Sequence, residues 1–359
     1  MRSAALFFSI SFCPVRPGRG AKLKELSYKE RFLRSLRLES VDRVPMPAFC
    51  THPLVELMEQ TALSAPDIHY KRDDMVKFAL AAYEILGLEG VRLPTDGAFE
   101  AEAIGCPIDI GAMDRNPSIA NHPFKLDDIR IPNDFLSKER IPIYLEAVKT
   151  VKRQVGDDIP VTAHFQGPLT MASQMIGAET FLFGLTDKEK EIKALLDIVT
   201  GICIKMGNAL NEAGADILQL PDGMATSEII SPQMFEEFVQ PCFQKILRSI
   251  PCPVVLHICG NTTPILPLLK EMGAAGFSFD VKVSVSDAKK ILGAKMSLIG
   301  NISTQETLLH GNKDDVHREC LAAIRSGINV LAPSCGFAPH TPLENIKEMI
   351  NTAKGTSGR

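Results

Sequence analysis

The chain has 359 residues, is 45% apolar and carries a formal net charge of −4, which together suit a folded globular protein of the length of one α/β barrel. The charges are spread along the sequence without a basic block, so nothing indicates a surface for nucleic acid or for an anionic membrane. Nine cysteines without a framework of short spacings indicate free thiols in a reducing compartment such as the cytoplasm.

The first 25 residues differ from the rest of the chain. A short apolar run from Ala4 to Cys13 follows Arg2. The run is too short to span a bilayer and lacks an A-x-A cleavage site. We predict that residues 1–25 are a loosely attached extension and that residues 26–359 form a single domain.

Short apolar runs alternate with amphipathic stretches along this domain. The predicted helices with the clearest apolar spacing of three and four are 71–87, 141–156 and 186–214. The predicted strands are 43–49, 90–94, 160–165, 215–220, 253–258, 276–280, 297–301 and 329–333. Eight strands that alternate with helices predict a (β/α)₈ TIM-type barrel. A dinucleotide-binding fold is disfavoured because no G-x-G-x-x-G follows the first strand.

A long segment, 97–140, separates the second strand from the 141–156 helix. It contains F-E-A-E-A-I-G-C and several Pro and Asp residues. We predict a β-hairpin or lid-like insertion at the C-terminal face of the barrel, where the loops carry active sites.

Polar residues follow or end several predicted strands. In a barrel these strand ends share one rim, so their side chains are expected to converge on a common mouth. Each has an alternative reading as a helix cap or turn residue. The candidates for substrate binding are Gln166, Gln219, Asp222, Asn261, Asp280 and Asn301.

The end of the fifth strand, H-I-C-G-N-T-T-P, suggests a metal site. His257 and Cys259 are two residues apart and therefore face the same side of an extended backbone. Cys335, in S-C-G, follows the eighth strand and is predicted on the same rim. One imidazole and two thiolates are good zinc ligands, and three protein ligands leave a fourth position open, as in catalytic sites. The alternative is a set of ordinary buried side chains in turns.

Such a site favours thiol chemistry. Zn²⁺ with two thiolates and a neutral imidazole is formally uncharged, which makes it a modest Lewis acid. It is suited to binding and deprotonating a substrate thiol. The pattern therefore favours alkyl transfer to a thiolate, and hydrolysis fits less well.

These motifs resemble one known family. H-I-C-G-N-T-T, the distant S-C-G with T-P-L-E-N-I, H-F-Q-G-P, F-E-A-E-A-I-G-C and the opening Y-K-E-R-F-L-R-S-L-R-L-E-S-V-D-R-V-P are similar to the methylcobamide:coenzyme M methyltransferases of the uroporphyrinogen decarboxylase superfamily. The resemblance covers roughly residues 25–355.

The resemblance implies a TIM-type barrel and a catalytic zinc ion held by His257, Cys259 and Cys335. It also implies a methyl donor, a methylated corrinoid (methylcobamide) on a separate corrinoid protein, and coenzyme M as the thiol acceptor. Such a reaction belongs to methanogenesis or to related bacterial methyl metabolism. A sulfonate needs cationic or N–H donors, for which four side chains are candidates: Arg92, His164, Lys282 and His340. Glu102 and Asp222 are candidates for a fourth zinc ligand.

Two other functions remain open. Tetrapyrrole decarboxylation would use Asp96 or Asp222 at the mouth. The chain lacks the M-R-Q-A-G-R-Y type of stretch of that branch, since the region reads V-P-M-P-A-F-C-T-H, and decarboxylation needs no zinc. A non-catalytic role, in holding zinc or a corrinoid protein, is the third possibility.

Overall fold

The computed structural model describes residues 25–49, 53–129 and 131–356. All but the last residue of the predicted extension 1–25 therefore lies outside the described residues. Within the described part of the chain, no helix is both long and apolar enough to cross a bilayer.

Seven strands of the described residues form one parallel sheet in the order β1-β4-β5-β6-β7-β8-β9, and β2 and β3 form a separate antiparallel pair. The strands are β1 Val91–Arg92, β2 Ile108–Asp109, β3 Ser118–Ile119, β4 Val161–His164, β5 Ile217–Pro221, β6 Val254–Ile258, β7 Gly276–Phe279, β8 Ser297–Ile302 and β9 Val330–Pro333. The seven sheet strands coincide with the second to eighth predicted strands, which are confirmed.

The first predicted strand, 43–49, is not a regular strand, but it occupies the eighth position. The Pro45 carbonyl accepts a hydrogen bond from Leu331 N of β9 at 3.0 Å, and the Met46 carbonyl accepts one from Glu89 N, just before β1, at 3.1 Å. Pro45 and Pro47 have no N–H to donate, which prevents a full ladder on either side. The segment therefore links the two edges of the sheet and completes the TIM-type barrel.

Helices cover the outside of the sheet. Their bounds are α1 Tyr28–Leu36, α2 Val55–Thr61, α3 Asp67–Tyr70, α4 Arg72–Leu86, α5 Phe99–Ala103, α6 Ile141–Val155, α7 Pro168–Ile176, α8 Ala178–Asp187, α9 Glu189–Glu212, α10 Pro232–Met234, α11 Gln240–Ser249, α12 Leu266–Leu269, α13 Val285–Leu292, α14 Lys313–Ser326 and α15 Leu343–Lys354. Short 3₁₀ turns lie at Phe135–Ser137, Gly223–Ala225 and Thr263–Ile265, and π-helical turns at Phe235–Val239 and Thr304–Leu309. The predicted helices 71–87 and 141–156 match α4 and α6. The predicted helix 186–214 is interrupted at Lys188, where α8 ends and α9 begins.

The N-terminal end of the barrel is plugged by α1. Phe32 and Leu36 of this helix pack in one apolar cluster with Ile217, Val255 and Val330, which lie at or near the start of their strands. Because this end is filled, a ligand can reach the barrel interior only from the C-terminal face, where the loops after the strands converge.

The segment 97–140 contains α5 and then the β2–β3 hairpin. Ile108 pairs with Ile119, and an exposed ion pair joins Asp109 to Arg115 at 2.7 Å. Asn116 and Pro117, near the tip of this hairpin, line a cavity at the C-terminal face. The hairpin therefore lies at the mouth of this cavity, the position expected of a lid-like insertion.

Candidate metal centre

The metal-binding candidates of β6 lie next to one another. His257 is the fourth residue of the strand and is buried, and Cys259 follows the strand by one residue. The distance from His257 Nε2 to Cys259 Sγ is 3.1 Å. The alternation of side chains along an extended backbone explains this, because residues two apart face the same side.

Cys335 completes the cluster from the other side of the barrel mouth. It follows β9 by two residues, and its Sγ lies 3.4 Å from that of Cys259. The ligand atoms of His257, Cys259 and Cys335 all lie within 4.8 Å of one another. Across the described ranges, no other cluster of three or more His, Cys, Asp or Glu side chains is suited to hold a metal ion.

A neighbouring strand orients the imidazole. Ser278 of β7 is the register partner of His257, and its hydroxyl lies 2.9 Å from His257 Nδ1. This contact engages Nδ1 and leaves Nε2 facing the two sulfur atoms. Metal-binding histidines commonly have their second ring nitrogen held in this way.

Two of the predicted substrate-binding residues hold the turn after Cys259. Gly260 has φ of +77°, a left-handed backbone conformation that favours glycine. Gly260 N donates to Asp280 Oδ2 at 3.1 Å. The Asn301 side-chain amide donates to the carbonyls of Asp280 and Val283 at 3.3 and 3.1 Å. Asp280 and Asn301 therefore hold the turn rather than line the cavity.

The protein alone keeps the Cys259 thiol protonated. Its hydrogen bond with Cys335 and its burial raise the pKa of Cys259 far above the usual value for a thiol, while His257 opposes the shift. Two thiols at this distance become thiolates together only if a cation compensates their charge. The two sulfur atoms and one imidazole nitrogen are the donor set that Zn²⁺ prefers, so the residues present fit this metal.

The cluster lies at a cavity of about 220 Å³. The cavity is bounded by the ends of β1, β4, β5, β6 and β9 and by the hairpin tip. Its lining residues are Arg92, Thr95, Asp96, Gly97, Asn116, Pro117, His164, Gln166, Gln219, Pro221, Gly223, His257, Cys259, Cys335 and Gly336.

Of the six predicted substrate-binding residues, Gln166 and Gln219 line this cavity. Asp222 does not, because its carboxylate accepts hydrogen bonds from the backbone N–H groups of Leu169 and Thr170 at the start of α7, each at 2.9 Å. Burial raises the pKa of Asp222 to about 6, although the hydrogen bonds act in the opposite direction. Asn261 is exposed and its side-chain oxygen accepts from Thr263 N in a local turn.

The other sequence candidates separate in the same way. Arg92 and His164 line the cavity. Lys282 is exposed and pairs with Glu228 at 2.9 Å, and His340 is exposed near Asp114. None of the side chains of this second group contributes to the cavity lining.

Sequence reasoning missed Arg140. This arginine is buried and donates to the Asp96 carboxylate at 2.6 and 3.3 Å. It also pairs with Glu102, so both carboxylates are engaged away from the metal candidates. Its guanidinium stacks 4.0 Å from the Phe99 ring centre. No local motif predicts that Arg140 binds the Asp96 carboxylate, because the two residues are 44 positions apart in the sequence.

Comparison with known proteins shows which family the chain is similar to. The chain is 39% identical to the methylcobamide:CoM methyltransferase MtaA of Methanosarcina barkeri, over 91% of the chain and 98% of that protein. It is 31% identical to the methylcobamide:CoM methyltransferase MtbA of Methanosarcina acetivorans, over 92% of the chain and 99% of that protein.

A solved structure of a methyltransferase from Methanosarcina mazei superposes with a TM-score of 0.89 at 38% identity, and the match covers 92% of this chain and 99% of that one. The family model for uroporphyrinogen decarboxylase (URO-D) matches residues 27–356. The chain therefore belongs to the uroporphyrinogen decarboxylase family, within its methylcobamide:coenzyme M methyltransferase branch.

Proposed function

We propose that this protein transfers a methyl group from a methylated corrinoid, carried by a partner corrinoid protein, to the thiol of coenzyme M. The observation that carries the proposal is the meeting of the His257, Cys259 and Cys335 ligand atoms within 4.8 Å at the wall of an accessible cavity. The donor and acceptor follow from the names of the relatives MtaA and MtbA.

In this proposal His257 Nε2 and the two cysteine sulfurs hold one zinc ion. Zinc bound there would supply the positive charge that makes a substrate thiol a thiolate at neutral pH. The chain has the complementary tasks of orienting the imidazole through Ser278 and of holding the turn after Cys259 through Asp280. Cys259 and Cys335 both line the cavity, so in this proposal the thiol-bearing end of the substrate lies against them.

The proposed reaction balances without an external oxidant or reductant. A bond forms between the substrate sulfur and the methyl carbon, and the cobalt–carbon bond breaks. The electron pair of that bond remains on cobalt, which passes from Co(III) to Co(I), and the thiol proton is released. The products are methyl-coenzyme M and the Co(I) corrinoid.

The size of the cavity restricts how the two substrates meet. A volume of about 220 Å³ is below the usual range for ligand pockets, which begins at roughly 300 Å³. It suits a small thiol and is too small for a corrin macrocycle with its side chains. The methylated face of the corrinoid therefore approaches at the mouth, where the tip of the β2–β3 hairpin lies, and the corrinoid protein docks on the C-terminal face.

Decarboxylation of a tetrapyrrole is the poorer fit. Asp96, its candidate acidic residue in the cavity, is held by two hydrogen bonds from Arg140. Asp222, the other candidate, caps α7. The His257–Cys259–Cys335 cluster would have no task in that reaction.

The cluster also supports a reducing location. Two thiols 3.4 Å apart must remain reduced to bind a metal ion, and the cytoplasm provides such conditions. We therefore place the reaction in the cytoplasm.

Replacing Cys335 with Ser should abolish stoichiometric zinc binding, because a hydroxyl is a far poorer zinc ligand than a thiolate. The measurement is zinc content by elemental analysis after dialysis, with about one ion per chain expected for the unmodified protein. Cys252→Ser is the matched control. Cys252 is also half-buried but precedes β6, at the opposite end of the barrel. Full zinc retention by Cys335→Ser would overturn the ligand assignment.

Replacing Ser278 with Ala should weaken zinc binding by about 10- to 100-fold, the usual effect of removing a group that orients a ligating histidine. Competition with a chromophoric chelator measures the affinity. Ser297→Ala is the control, since Ser297 is equally buried but lies at the first residue of β8. The same zinc affinity in Ser278→Ala as in the unmodified protein would show that His257 needs no such support.

The methyl transfer itself is tested with zinc-loaded protein, methylcobalamin and a panel of thiols, followed by the absorption spectrum of the corrinoid. Formation of Co(I) and of methyl-coenzyme M with coenzyme M is the expected result. Zinc binding without methyl transfer to any thiol would favour the non-catalytic alternative. Release of carbon dioxide from a porphyrinogen by the metal-free protein would favour the decarboxylase.

A further inference from the structure

Arg140 joins the two ends of the segment that contains the hairpin. The segment 97–140 begins directly after Asp96 and ends with Arg140 itself. The guanidinium donates to both oxygens of the Asp96 carboxylate, at 2.6 and 3.3 Å. Arg140 is 2% exposed and Asp96 is 4% exposed. A bidentate pair between buried groups is geometrically specific, so it fixes the distance and the orientation between the two ends of the segment.

The same guanidinium also holds α5, the first helix of the segment. Its Nε donates to the Glu102 carboxylate, and the guanidinium carbon lies 4.0 Å from the centre of the Phe99 ring. The Tyr70 ring of α3 lies 4.7 Å from the same carbon. Arg140 therefore connects α5 to Asp96 and to α3. A lysine cannot take its place, because an ammonium group does not offer a planar fork that also stacks on aromatic rings.

A second set of contacts holds the base of the hairpin on α7. The Gln174 carbonyl accepts a hydrogen bond from His122 Nδ1 at 2.7 Å and a weaker one from the Cys106 thiol at 3.8 Å. Cys106 precedes β2 and His122 follows β3. The Gln174 side chain donates to the Gly97 carbonyl at 2.7 Å. Both arms of the hairpin are therefore fixed at the base, next to the groups that Arg140 holds.

The tip of the hairpin, residues 110–117, is held more weakly. β2 and β3 pair over two residues each. Asp114 lies 3.7 Å from His340 Nε2 in the loop after β9, and both side chains are exposed, so this contact contributes little. Asn116 and Pro117 nevertheless form part of the cavity lining. The base of the hairpin therefore determines where this part of the cavity wall lies.

We propose that Arg140 is a positioning residue, which fixes the hairpin over the cavity and so strengthens the binding of the thiol substrate without touching it. The inference rests on the proposed function for the identity of the substrate, but the position of the hairpin is a property of the protein alone. A cavity wall that is fixed before the ligand arrives binds it more tightly, because less motion is lost on binding.

The direct test places a fluorescent probe on the tip of the hairpin. The chain contains no tryptophan, so Ile110→Trp introduces a single one, at a side chain that is 54% exposed. In this background Arg140→Gln should lower the residual fluorescence anisotropy of the tryptophan, because a loosened base allows nanosecond motion of the tip. The measurement needs neither zinc nor substrate. An unchanged anisotropy in Arg140→Gln would overturn the inference.

Arg31→Gln, in the same background, is the matched control. Arg31 is 0% exposed and donates to both oxygens of the Asp42 carboxylate, at 2.7 and 2.6 Å. It lies on α1, at the opposite end of the barrel. Its replacement removes the same kind of buried ion pair and should leave the anisotropy unchanged. An equal fall in both variants would show a general loosening of the protein and would contradict a specific role for Arg140.

The second readout compares two affinities of the protein. Arg140→Gln should weaken the binding of coenzyme M to zinc-loaded protein by about tenfold, measured by calorimetric titration. The affinity for zinc, measured by competition with a chelator, should change by less than about twofold. The reason is that Ser278 and Asp280, which hold His257 and the turn after Cys259, are not among the hydrogen-bond partners of Arg140. Parallel losses of both affinities would overturn the inference.

Glu102→Ala decides the question if Arg140→Gln does not fold. It keeps the pair between Arg140 and Asp96 and removes only the ion pair with α5. The anisotropy and the affinity for coenzyme M should both fall, by less than in Arg140→Gln, and unchanged values would contradict the inference.

The inference and the proposed function fail separately. A fall in anisotropy in a protein that methylates no thiol would refute the proposed function and support the positioning of the hairpin by Arg140. Methyl transfer to coenzyme M by a protein whose anisotropy does not depend on Arg140 would refute the positioning alone.

Discussion

The curvature of the parallel sheet is the constraint on which the His257–Cys259–Cys335 cluster depends. Cys259 follows β6 and Cys335 follows β9, three strands away in the sheet order. In a flat sheet such strands would lie about 14 Å apart. Here the two sulfur atoms are 3.4 Å apart. Segment 43–49 hydrogen-bonds to both edges of the sheet and so closes the barrel. The curvature that brings the two cysteines together therefore depends on closure of the whole barrel.

The residues between these two strands stabilise the arrangement. Ser278 on β7 orients His257, and Asp280 after β7 accepts from the backbone N–H that follows Cys259. Asn301 on β8 donates to the carbonyl of Asp280. Side-chain hydrogen bonds therefore join the neighbouring ends of β6, β7 and β8. Ser278, Asp280 and Asn301 are not among the residues that line the cavity, but they restrict the positions of His257 and of the turn after Cys259, which are at its wall.

The barrel, and the convergence of His257, Cys259 and Cys335 on one rim, could be predicted from the sequence. Strand ends are readable from apolar runs, and the barrel rule places them on one rim, so Cys335 could be assigned beside Cys259 before any coordinates. The direction in which each polar side chain points could not be predicted from the sequence. Asp222, Asn261, Asp280 and Asn301 are at the expected rim, but their short side chains hydrogen-bond to nearby backbone groups. Of these bonds, only that of Asn261 is local in sequence.

Two further features were beyond reach of the sequence for identifiable reasons. The first predicted strand, 43–49, lies at the predicted position but does not form a regular strand. Its prolines lack the N–H donors that a regular ladder needs, and apolar patterning alone does not reveal this. The contact of Arg140 with Asp96, and the convergence of Arg92 and Thr95 on His164, join residues 44 to 72 positions apart. Long-range polar contacts of this kind follow from the packing of the barrel and leave no local pattern.

X-ray absorption at the zinc edge of the zinc-loaded protein, before and after addition of coenzyme M, tests the central claim most directly. The account predicts two sulfur ligands at about 2.3 Å with nitrogen or oxygen completing the shell, and three sulfur ligands once the thiol is present. A shell without sulfur, or a sulfur count that coenzyme M leaves unchanged, would contradict it.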